Sequence, residues 1–115
     1  MHLDVSKRWG LTHGMWAGRF DSPAQYFEGN RRYTMKGVVT EIRCPTLVCD
    51  AEHDHFFHDA RIVYDALKSP KEYVRFTSEE GAEEHCQFGA LSRFHQRAFD
   101  WLDDIIGPSV QPSAA

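Results

Sequence analysis

From residue 44 onward the apolar positions follow recognisable periods. "TLVCD", residues 46–50, is a short β-favouring run behind Cys44-Pro45 and reads as a buried strand. "DARIVYDALKSP" then places Ala60, Val63 and Leu67 on one face of a helix, with Ile62 and Ala66 beside them and Pro70 as the stop. "KEYVRFTS" predicts a second strand with Tyr73, Val74 and Phe76 as its apolar residues. After the loop "EEGAEEHCQ", the residues Leu91, Phe94, Ala98, Trp101, Leu102 and Ile105 recur at helical spacing, and Gly107-Pro108 closes that helix. Strand, helix, strand, helix with short connections is a βαβα unit, so the fold class is α/β with two parallel strands over residues 44–107.

Residues 1–43 carry no comparable period. Ser22 as N-cap and Pro23 at the first helical position predict a helix of about two turns in "SPAQYFEGNRRYT". Trp9, Met15, Trp16, Tyr26, Phe27 and Tyr33 are many large side chains for a helical or irregular segment, and they need a surface to pack against. Residues 108–115, "PSVQPSAA", have the composition of a flexible tail.

Composition narrows the classes without choosing among them. Of 115 residues, 42% are hydrophobic and 13% aromatic, enough for a core. The net charge of -4 has no basic patch, which argues against nucleic acid as a partner. The N-terminus lacks the apolar core of a signal peptide, and no apolar run approaches the ~18 residues of a membrane span, so no membrane partner is expected. Three irregularly spaced cysteines read as reduced thiols in a cytoplasmic setting.

Candidate chemistry gathers behind the two strands, where parallel βαβ units place their ligands. Glu52, His53, Asp54 and His55 follow the first strand; Glu83, Glu84 and His85 follow the second. An Asp on one loop and a His on its neighbour can orient and charge an imidazole, which then acts as general base towards a hydroxyl or thiol. Two plainer readings compete: Asp54 caps the next helix or binds loop amides, and Glu83 and Glu84 are solvated or cap the last helix. A metal held by His53, His55 and His58, with Asp54, is a third, but no Cys-x-x-Cys or His-Glu-x-x-His spacing supports it. Neither a cofactor nor a metal is therefore expected.

"IRCPTLVCDAEHDHFF" followed by "GAEEHCQFGALSRFHQRAFDWLDDII" resembles the C-terminal end of α/β-hydrolase-fold enzymes. Within them it is most similar to the dipeptidyl-aminopeptidase-like and pseudooxynicotine-hydrolase-like branch. The match is good over residues 36–106 and weaker over 1–35, the end of the segment preceding the strand. The resemblance implies a partial α/β-hydrolase fold, with Asp54 in the acid position and His85 in the histidine position of a Ser-Asp-His relay that hydrolyses an ester, amide or C–C bond. Ala51 stands where the family usually has Gly.

The family's nucleophile sits on a G-x-S-x-G elbow. No serine here lies in such a frame, and the nearest glycine pair, "GMWAG", has Trp16 at its centre. The expectation is a chain that does not hydrolyse by itself, whose serine and small-molecule substrate belong to an intact enzyme with an N-terminal half. The alternative is a non-catalytic truncated paralogue that binds partners or forms a homodimer through unpaired strand edges.

Overall fold

The computed structural model describes residues 4–107, and the expected tail at 108–115 lies outside the described residues. The chain divides into two compact units between Lys36 and Gly37.

The first unit is a pair of helices, α1 (Val5–Gly18) and α2 (Pro23–Asn30). Asp4 caps α1 by accepting from the Lys7 amide at 2.8 Å. Ser22 caps α2, accepting from the Gln25 amide at 3.2 Å with Pro23 in the first turn, as its sequence predicts. The irregular sequence of the front end hides a 14-residue helix, α1. Glycines explain how the pair closes. A Cβ on Gly14 would overlap the Tyr26 ring, and one on Gly18 or Gly29 would overlap the Phe20 ring. The "GMWAG" glycines are therefore seats for aromatic rings between the helices. Most of the unit's other large side chains, Trp9, Trp16, Phe27 and Tyr33 among them, remain exposed.

The second unit contains the α/β arrangement. Strand β1 (Thr46–Ala51) pairs in parallel with β2 (Lys71–Phe76), in a register running from Thr46 opposite Lys71 to Ala51 opposite Phe76. Helix α3 (Ala60–Ala66) connects them, and α4 (Leu91–Ile106) follows β2. Val39, Val48 and Leu67 form a small core, with Ile42, Val63, Tyr64 and Tyr73 packed on it. Nearer the carboxyl ends of the strands, Phe76 is 0% exposed and meets Phe94 of α4 edge to face at 5.9 Å.

Helix α3 ends before its predicted stop at Pro70. Its last carbonyls are bound by Lys71, whose Nζ donates to Tyr64 O at 2.6 Å and Leu67 O at 2.7 Å. An ammonium there satisfies orphan acceptors and complements the helix dipole. Helix α4 is held at its start by Glu80, which pairs with Arg93 at 3.3 Å and Arg97 at 2.7 Å. Its apolar face is only partly covered: Leu91, Phe99, Leu102, Ile105 and Ile106 are exposed. No helix among the described residues is long and apolar enough to cross a membrane.

Candidate functional site

Parallel pairing brings the loops after β1 and β2 to the same end of the sheet. Four consecutive residues on the first loop then reach across to the second. Glu52 accepts from the Ser78 amide at 2.9 Å and its hydroxyl at 3.0 Å. The His53 amide donates to Glu83 O at 2.8 Å. Asp54 Oδ2 meets His85 Nδ1 at 2.8 Å, and His55 Nε2 meets Glu84 Oε2 at 3.0 Å.

Asp54 is the best-satisfied member. Its Oδ1 accepts from the Phe56 and Phe57 amides at 2.8 and 3.0 Å, while Oδ2 faces the imidazole. Burial alone would raise the Asp54 pKa. The His85 hydrogen bond and the two amides outweigh it, and the carboxyl is held below its ordinary value. An ionised carboxylate only accepts, so the proton between the two groups sits on His85 Nδ1. In the neutral ring Nε2 then carries the free lone pair. The Asp54 side chain is 13% exposed and that of His85 is 37% exposed, so the acid is shielded while the imidazole is reachable.

The turn carrying His85 is strained. Cys86 and Gln87, immediately after it, both have left-handed backbones, with φ of 56° and 55°. Such residues without glycine's freedom cost about 1–2 kcal/mol each. The rings of Phe56 and Phe57 lie against the imidazole, their centroids 5.0 and 5.5 Å from it. A concavity of about 610 Å³ opens beside the pair, with Leu47, Cys49, Val63, Gln87 and Phe94 among its walls. Burial raises the Cys49 thiol, which disfavours its thiolate form.

The plainer readings of these residues are met only in part. Asp54 does bind loop amides, but it does not cap α3, whose N-cap residue is Asp59. Neither Glu83 nor Glu84 caps α4, whose N-cap residue is Ala90 and which has no side-chain cap. Instead Glu84 pairs with His55, while Glu83 Oε2 is buried without a partner. His53, His55 and His58 do not converge: among the described residues no group of three His, Cys, Asp or Glu side chains is placed to hold a metal ion. Cys44, Cys49 and Cys86 are free thiols. Ala51 completes β1 as a buried residue outside the left-handed region, so the turn needs no glycine there.

Comparison with known proteins gives the geometry a context. "Hydrolase LUC6" of a Fusarium species is 28% identical over 86% of this chain and 26% of its own length. "Alpha/beta hydrolase psoB" of Aspergillus fumigatus is 28% identical over 98% of this chain and 28% of its own. The chain is similar to α/β-hydrolases. "20-hydroxy-prefusarin hydrolase FUS2" of Gibberella moniliformis is 28% identical over 85% of this chain and 25% of its own length. This hydrolase-like chain spans about a quarter of the length of the relatives it matches. No family model matches it. No solved structure matches it either.

Proposed function

We propose that this chain carries the acid and the base of a hydrolytic relay on part of an α/β-hydrolase fold. Asp54 holds the Nδ1 proton of His85 and stabilises the imidazolium; His85 Nε2 takes the proton of an attacking hydroxyl and returns it to the leaving group. The observation that carries this reading is the 2.8 Å contact between Asp54 and His85, with the second Asp54 oxygen occupied by two amides. The hydrolase names of the relatives support the reaction class.

The nucleophile, a serine on a G-x-S-x-G elbow, belongs to sequence outside these 115 residues, so the chain by itself is not competent. One relative is named for 20-hydroxy-prefusarin, which favours a small organic substrate over a peptide, although the motifs resemble a peptidase-like branch. The free cysteines fit a cytoplasmic setting, and no nucleic acid or membrane partner enters the reading.

A chimera tests it. An α/β-hydrolase with measured turnover of a chromogenic short-chain ester serves as host, and this chain replaces its matched segment. Turnover is expected to survive, and His85→Ala or Asp54→Asn to lower kcat about 10³-fold or more. Undiminished turnover in the His85→Ala chimera would overturn the proposal.

The exposed apolar face of α4 favours a second reading, a partner-binding or dimerising module without catalysis. Sedimentation of the purified chain separates the two, since a stable dimer lost on replacing Phe99 and Ile106 by polar residues supports the module.

A further inference from the structure

The relay does not use the second side-chain pair at this end of the sheet. Asp54–His85 and His55–Glu84 are nested: the residue after the acid grips the residue before the base. Glu84 is also the N-cap residue of the short turn His85–Gln87, and its carbonyl accepts from the Gln87 amide at 2.8 Å. That turn contains both left-handed residues, Cys86 and Gln87. A backbone held in such a conformation relaxes unless its surroundings fix it.

We propose that His55 is a positioning residue: by pairing with Glu84 it pins the start of the strained turn and so keeps the His85 ring on Asp54. This rests on the relay reading above. Charge explains the choice of side chain. Asp50, Asp54, Asp59 and Glu84 border the two concavities beside His85, and neither is lined by Lys or Arg. The Cys86 thiol lines both as well. The nitrogen that meets Glu84 there is His55 Nε2, at 3.0 Å. The pair is partly solvated, its side chains 65% and 46% exposed, so its hold is modest and adjustable.

The His85 Nδ1–H resonance of the whole, isotopically labelled chain tests the idea, since its exchange with water reports how often the ring leaves Asp54. His55→Ala is expected to speed that exchange about 2- to 5-fold, the size of an exposed ion pair. Glu84→Gln, approaching from the other side of the pair, is expected to do the same. His55→Lys, which again places a nitrogen donor opposite Glu84, should return the rate towards the parent's. A purely structural role for His55 would instead alter backbone amide shifts in β1 and β2 and leave the lysine variant no closer to the parent. Unchanged exchange in His55→Ala, with the resonance lost in Asp54→Asn, overturns the positioning role and leaves the relay standing. A resonance that survives in Asp54→Asn overturns both.

Discussion

Residues 52–55 and residues 91–106 belong to the same unit and treat solvent in opposite ways. In the loop after β1, each of four polar residues reaches a partner on the loop after β2. In α4, a strongly amphipathic helix, a row of large apolar side chains stays in water. The polar site is internally complete as far as acid and base go, because its partners come from loops that parallel pairing already adjoins. The apolar face is not, because covering it takes area that a two-stranded sheet and one short helix do not offer. Local hydrogen bonding can position a site before a large core exists to bury it.

The largest effect that probes this contrast lies where α4 does touch the sheet. Phe76 is fully buried against Phe94, and Phe76→Ala should cost about 3–5 kcal/mol. In so small a core that loss is expected to abolish the cooperative urea transition. Phe99→Ala, at a residue 60% exposed, should stay within about 0.5 kcal/mol. Equal losses at the two positions would show that the outer face of α4 is covered in solution, and the comparison would break.

What the sequence made legible follows the same divide. Both strands, their parallel pairing, α3, α4 and the Ser22-Pro23 start of α2 all follow from periods and caps, because those signals are local. The meeting of the two loops also follows, from topology alone. Helix α1 was hidden because its closure relies on glycines opposite aromatic rings, a complementarity that leaves no apolar stripe. The Lys71 cap on α3 and the His55–Glu84 pair were hidden for another reason. Each joins residues on different elements or loops, through long side chains whose direction no period encodes.

An intermediate effect should separate the polar loop from the rest by pH. The carboxyl of Asp54 is held low by His85 and the Phe56 and Phe57 amides against its burial, and that of Glu52 is held low chiefly by the Ser78 amide and hydroxyl. A depressed folded pKa contributes stability that is fully present above the unfolded values, about 3.9 for Asp and 4.3 for Glu, and is lost as pH falls through the folded ones. Denaturation midpoints should therefore drop below about pH 4. Asp54→Asn should cost about 1.5–3 kcal/mol at neutral pH, the worth of hydrogen bonds to a charged group, and flatten that acid limb. An unchanged limb in Asp54→Asn would mean that Asp54 is not among the groups that titrate with unfolding.

The smallest effect sharpens the comparison at a single methyl group. Ala51 lies at the end of β1, buried and opposite Phe76, where the resembling family carries glycine. Glycine is needed only if the backbone must turn left-handed or a Cβ has no room, and neither holds at Ala51. The left-handed residues of this site sit on the other loop, at Cys86 and Gln87. Ala51→Gly should then destabilise the unit by about 0.5–1 kcal/mol through the entropy of the unfolded chain, in the direction opposite to a relieved turn. Urea midpoints of the two chains measure it. A gain in stability would place hidden strain at the end of β1, and the carboxylate of Asp54 would owe part of its position to a backbone under tension.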